Sequence, residues 1–100
     1  MAYRASVNVE MYGAIEKGDE LYHEISLYEG ETFMIYLEPE DEDVDLDLYI
    51  ADQEGNVIYK DEDKDAGAAA KFKVTSSGVC TLVVKAVDGD TNYTLKVQEK

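Results

Sequence analysis

VDLDLYIADQEGNVIYK, residues 44 to 60, is the stretch whose reading decides the fold. Leu46, Leu48 and Ile50 alternate with Asp45, Asp47 and Tyr49, so one side of the segment is aliphatic and the other polar or aromatic. A period of two marks a β-strand with one buried face, because successive side chains of an extended chain point to opposite sides. QEGN follows, with Gly55 and Asn56 both tolerant of positive φ, and VIYK resumes the extended pattern. A strand, a glycine turn and a second strand make a hairpin.

The same period runs outward in both directions. Tyr3, Ala5, Val7, Val9 and Met11 alternate with Arg4, Ser6, Asn8 and Glu10 in a long first strand, and a turn region spans Gly13 to Gly18. Leu21, His23, Ile25 and Leu27 form the inward set of the next strand, and Phe33, Ile35 and Leu37 that of the third. Pro39 and the acidic run after it interrupt the alternation where the chain leaves one strand for another. Beyond residue 60, DEDKDAG leads into AAAKFKV, with Ala70, Phe72 and Val74 inward. Ala favours helix at AGAAAK, but the piece is too short to hold one alone. SSG opens the apolar strand VCTLVVKAV, and DGDTN reverses the chain into YTLKV. About eight short strands, spaced by about ten residues, imply an all-β fold. We expect an antiparallel, jelly-roll-like β-sandwich forming one domain over residues 1–100.

Composition narrows the function. Hydrophobic residues make up 45% of the 100, enough for one core and too many for a disordered chain. Nine Lys plus Arg against 23 Asp plus Glu give a net charge of −14, which repels phosphate backbones and anionic membranes. Nucleic acid is therefore not an expected partner, and such acidity favours cations or basic partners when it does more than keep the chain soluble. No apolar run approaches the roughly 20 residues that span a bilayer, and no charged-then-apolar leader is seen. Membrane insertion is not expected.

Two aspartate-rich segments carry the metal question. Calcium takes six to eight oxygens, several of them carboxylate, from a flexible turn. Asp41, Asp43, Asp45 and Asp47 form one candidate set and Asp61, Asp63 and Asp65 the other. Neither is an EF-hand: in the first Leu46 takes the position that requires glycine and Asp52 stands where a bidentate glutamate belongs, and in the second Ala66 precedes Gly67 and Phe72 falls at the last ligand position. The two sets converge if the strands pair through the Gly55 hairpin. Two readings stay open, a loop calcium site and a set of hydrated turns screened by salt.

Reactive chemistry has little support. His23 is the one imidazole and lies among Leu21, Ile25 and Leu27, as a core or strand-face residue does. Cys80 is the one cysteine, lies in an apolar run and reads as a packed thiol. No serine or cysteine has a local nucleophile motif beside a histidine. We expect no enzyme and no catalytic residues. Tyr22, Tyr28, Tyr36, Tyr49 and Tyr59 share the outward parity of their strands, either as an aromatic face for polypeptide or sugar or as ordinary strand residues.

Over residues 13 to 97 the order of features resembles the bacterial pre-peptidase C-terminal domain. GAIEKGDELYHEISLYEGETFMIYLE is similar to its glycine-led turn, strand, short turn and apolar strand. VDLDLYIADQEGNVI resembles its aspartate-leucine-tyrosine strand with a glycine hairpin, and SSGVCTLVVKAVDGDTNYTLKV its two terminal strands. Leu21, His23 and Cys80 depart from the residues common in that family at those positions. The resemblance implies a β-sandwich without catalytic residues, attached to secreted peptidases and other exported proteins. Some collagenase-linked members bind calcium and collagen. From it we expect a non-catalytic, secreted or cell-surface accessory module, calcium-stabilised or not, whose partner is a polypeptide or an extracellular-matrix or surface ligand. A free-standing structural or protein-interaction β-sandwich is the alternative, and a hydrolase ranks last.

Overall fold

The structure, a computed structural model, describes residues 8–61, 68–75 and 77–99. Its eight strands are β1 (Asn8–Ile15), β2 (Glu20–Leu27), β3 (Thr32–Pro39), β4 (Leu46–Ala51), β5 (Val57–Asp61), β6 (Ala68–Lys73), β7 (Gly78–Ala86) and β8 (Thr91–Glu99). They build two four-stranded antiparallel sheets, ordered β1-β8-β3-β6 and β2-β7-β4-β5. Every connection except β4 to β5 carries the chain from one sheet to the other. That winding is the jelly roll, in which two interleaved sheets close one core between them.

Alternation explains why the layers meet as they do. Phe33, Ile35 and Leu37 of β3 and Leu95 and Val97 of β8 project from one sheet, and Leu46, Leu48, Ile50, Leu82 and Val84 project from the other. Each of these is at most 1% exposed. All ten belong to central strands, so the best-buried rows face one another. The edge strands β1, β2 and β5 contribute half-buried Met11, Leu21, Ile25 and Tyr59. The segment AAAKFK, where helix and strand compete locally, is strand β6, because its backbone pairs with β3.

Three details differ from the sequence reading. β1 runs through Gly13 to Ile15, since the ladder with β8 continues as Gly13 opposite Tyr93 and Ala14 opposite Asn92; the turn begins only at Glu16. The inward positions 3 to 7 lie outside the described residues. In the hairpin, Gly55 alone takes positive φ (+87°) and Asn56 does not. Finally, Ile50 pairs with Tyr59 and Ala51 with Val57, which leaves Ile58 as the extra residue of a β-bulge. The bulge turns Tyr59 inward instead of outward. Its hydroxyl donates to the Ala69 carbonyl in β6, 3.1 Å away, tying the two sheets at that edge.

Candidate functional site

The outer face of β2-β7-β4-β5 gathers apolar groups that the core does not use. Register places Tyr22, Val83 and Tyr49 in one row, and Glu24, Thr81, Ala51 and Val57 in the next. Val79, Thr81, Val83 and Ala51 form the floor of an open depression of about 710 Å³, with Tyr22, Tyr49 and Val57 around it. Tyr22 is 63% exposed, Val57 57% and Val79 40%. Glu20, Glu24 and Asp52 supply a carboxylate border. The Tyr22 hydroxyl donates to Glu20 at 2.8 Å, and that bond, with the Glu20 charge, raises the phenol pKa above its usual 10.0. This bond holds the Tyr22 ring along its own strand, next to the depression.

The tyrosines therefore do not form one face. Tyr22 and Tyr49 share the depression, and Tyr36 lies on the other sheet, opposite Lys96 and Ala69. Tyr28 follows the end of β2 and Tyr59 points inward. Parity could predict which side of a strand each occupies, but not which sheet that strand joins.

The acidic residues are mostly turn builders. Asp41 accepts the Asp43 amide at 2.9 Å, Asp88 accepts the Asp45 amide at 2.8 Å, and Asp90 accepts the Lys17 amide at 2.8 Å. Asp52 accepts the amides of Glu54 (3.0 Å) and Asn56 (2.9 Å) and so closes the β4–β5 turn. Three connections meet at one end of the sandwich, where Glu16, Glu40, Asp41, Glu42, Asp43 and Asp90 line an open cleft of about 850 Å³.

Within the candidate calcium set, Asp41 and Asp43 are exposed at that end and Asp45 is half-buried. Asp47, on the outward side of β4, is only 8% exposed, so it is not a hydrated strand residue. It stands opposite Lys85, which in turn stands opposite Glu20. Asp61 pairs with Leu48 on the other parity, and Asp63 and Asp65 lie outside the described residues. Among the described residues, no three His, Cys, Asp or Glu side chains are grouped to hold a metal.

His23 is half-buried between the layers. Its Nε2 lies 2.6 Å from the Tyr93 hydroxyl, with the rings edge to face at 5.8 Å and 87°. Burial lowers the imidazole pKa from 6.5 and raises that of Tyr93 from 10.0. Their separation in the chain hid this pair; Gly13, a glycine inside a strand, was the available sign of a close approach. Cys80 is 6% exposed, and burial first, then the charge of Asp52, raises its thiol pKa above 9.0. That keeps it protonated and poorly nucleophilic.

No protein-family model matches the chain, and no curated protein matches it in sequence. Solved structures do match in shape. The pre-peptidase C-terminal domain of a Bacillus anthracis collagenase superposes with TM-score 0.76 at 19% identity, covering 92% of this chain and 90% of that one. PliG of Aeromonas hydrophila, a periplasmic inhibitor of g-type lysozyme, superposes with TM-score 0.71 at 12% identity, covering 100% and 92%. PliG of Salmonella Typhimurium gives 0.61 at 14% identity, covering 93% and 91%. The resemblance read from the sequence is thus matched in three dimensions: the chain has the fold of the pre-peptidase C-terminal domain, a fold it shares with the PliG inhibitors.

Proposed function

We infer that the chain is a non-catalytic binding module that engages a polypeptide through the outer face of β2-β7-β4-β5, and that it works outside the cytoplasm. The observation that carries this is the outward row Tyr22–Val83–Tyr49, in which Tyr22 is exposed and Val83 and Tyr49 are half-buried, with exposed Val57 and Val79 beside it. Tyrosine is enriched at the centres of protein-binding surfaces, and apolar side chains gathered in one patch in contact with water mark an interaction site. The fold supports the reading, since one structural neighbour is a protein that inhibits another protein. The periplasmic and collagenase neighbours support the location. The same face serves an accessory domain of a larger exported protein or a free-standing interaction protein.

The test is a random peptide library panned on the folded domain, with g-type lysozyme and collagen assayed directly beside it. Ligands recovered on the wild type should bind at least about tenfold more weakly to the double variant Tyr22→Ser/Val83→Ser. Equal binding to both proteins, with circular dichroism showing both folded, would sink the reading.

A further inference from the structure

The depression on β2-β7-β4-β5 has an apolar floor and a border of one charge sign, which together specify a ligand chemistry. Resting on the binding face proposed above, we propose that its occupant is a cationic polypeptide segment, in which an aliphatic or aromatic side chain is flanked by lysine or arginine. The apolar side chain sits over Thr81 and Val83 between Tyr22 and Tyr49, and the flanking cations meet Glu20 and Glu24 on one side and Asp52 on the other.

Charge argues for this occupant and against the others. Lys85 is flanked in the register by Glu20 and Asp47, two carboxylates against its one charge, and Lys60 stands past Tyr49 on the edge strand. The chain as a whole carries −14, a field that draws cationic segments in and raises their association rate. A second copy would bring the same net charge and the same carboxylates against these. A neutral sugar gains nothing from the net charge, whereas Ala51, Val79 and Val83 in the floor match an aliphatic side chain. Tyr22, whose hydroxyl donates to Glu20 at 2.8 Å, presents its ring beside the depression.

The experiment measures anisotropy of three labelled synthetic peptides: lysine alternating with valine and tyrosine, the same with glutamate for lysine, and the same with serine for valine and tyrosine. They are titrated against four folded proteins: wild type, Glu20→Gln/Glu24→Gln/Asp52→Asn, Tyr22→Ser/Val83→Ser, and Tyr36→Ser on the opposite sheet. The lysine–valine–tyrosine peptide should bind the wild type and the Tyr36 variant alike. Its Kd should rise at least about tenfold in each multiple variant, and at least about tenfold between about 0.05 M and 0.5 M NaCl. The other two peptides should bind more weakly.

If the carboxylate variant binds the lysine peptide as tightly as the wild type while the Tyr22/Val83 variant does not, the cationic requirement is wrong and the face stands. Should neither variant weaken binding, the face itself is wrong and the attraction is the net charge alone. Absence of saturable binding by the lysine peptide, or tighter binding of the glutamate peptide, overturns the proposal; the library panning then judges the face independently.

Discussion

The Tyr93 hydroxyl of β8 lies 2.6 Å from Nε2 of His23 in β2, a hydrogen bond from one sheet to the other. It forms along the side of the sandwich bounded by edge strands β1 and β2. Tyr93 reaches it by passing Gly13: a Cβ built there would come within 2.5 Å of both the Tyr93 Cζ and its hydroxyl oxygen. One glycine, one phenol and one imidazole thus join β1, β8 and β2.

Acid should weaken the fold through His23. Its pKa in the folded chain is held below 6.5 by burial, so the unfolded chain takes up the proton first. The stability tied to the neutral ring is complete above about pH 6.5 and is lost as pH falls through the lower folded pKa. Relief of carboxylate repulsion acts in the opposite sense, so the measurement is a difference. Between about pH 7.5 and 5.5, Tm of the wild type should fall relative to that of His23→Gln. Parallel pH profiles would refute the coupling.

Gly13→Ala should destabilise by about 1–3 kcal/mol, since the ring of Tyr93 has to move. In urea unfolding, the penalty should shrink in a Tyr93→Leu background, a non-additivity expected only if the two positions touch. Additive penalties would place the cost elsewhere.

Two aliphatic residues close to the hairpin should respond very differently. Leu48 is 0% exposed at the centre of β4, and its change to Ala should cost about 2–5 kcal/mol. Ile58, the bulge residue, is 51% exposed, and Ile58→Ser should change stability by no more than about 0.5 kcal/mol. Chemical denaturation of both variants checks the bulge: a large loss at Ile58 would contradict it.

Salt should raise Tm, because it screens the repulsion among the carboxylates of a chain carrying −14. Calcium should do no more than magnesium at equal concentration if Asp41, Asp43, Asp45 and Asp47 act as the turn and strand residues seen here. A calcium-specific rise, equivalent to the about 2.7 kcal/mol of a site saturated 100-fold above Kd, would instead assign these turns a bound ion. Thermal melts in calcium, magnesium and chelator decide it.

The alternation of VDLDLYI with the aliphatic periods on either side determined by itself that the chain is all-β, which residues of β2, β3 and β4 face inward and where the β4–β5 hairpin turns. Each of these follows from local geometry: extended backbone has a period of two, and one buried face needs one aliphatic parity. Only the tertiary structure decided which sheet each strand joins, because parity is the same whether a strand pairs with its neighbour or crosses the sandwich. Crossing put Tyr22 and Tyr49 on a common face, sent Tyr36 to the opposite one and brought Tyr93 to His23. The bulge at Ile58, one residue that breaks the count without marking the sequence, turned Tyr59 inward. The binding face and the inter-sheet pair belong to that second level, since both depend on residues far apart in the chain meeting in a register that no local pattern records.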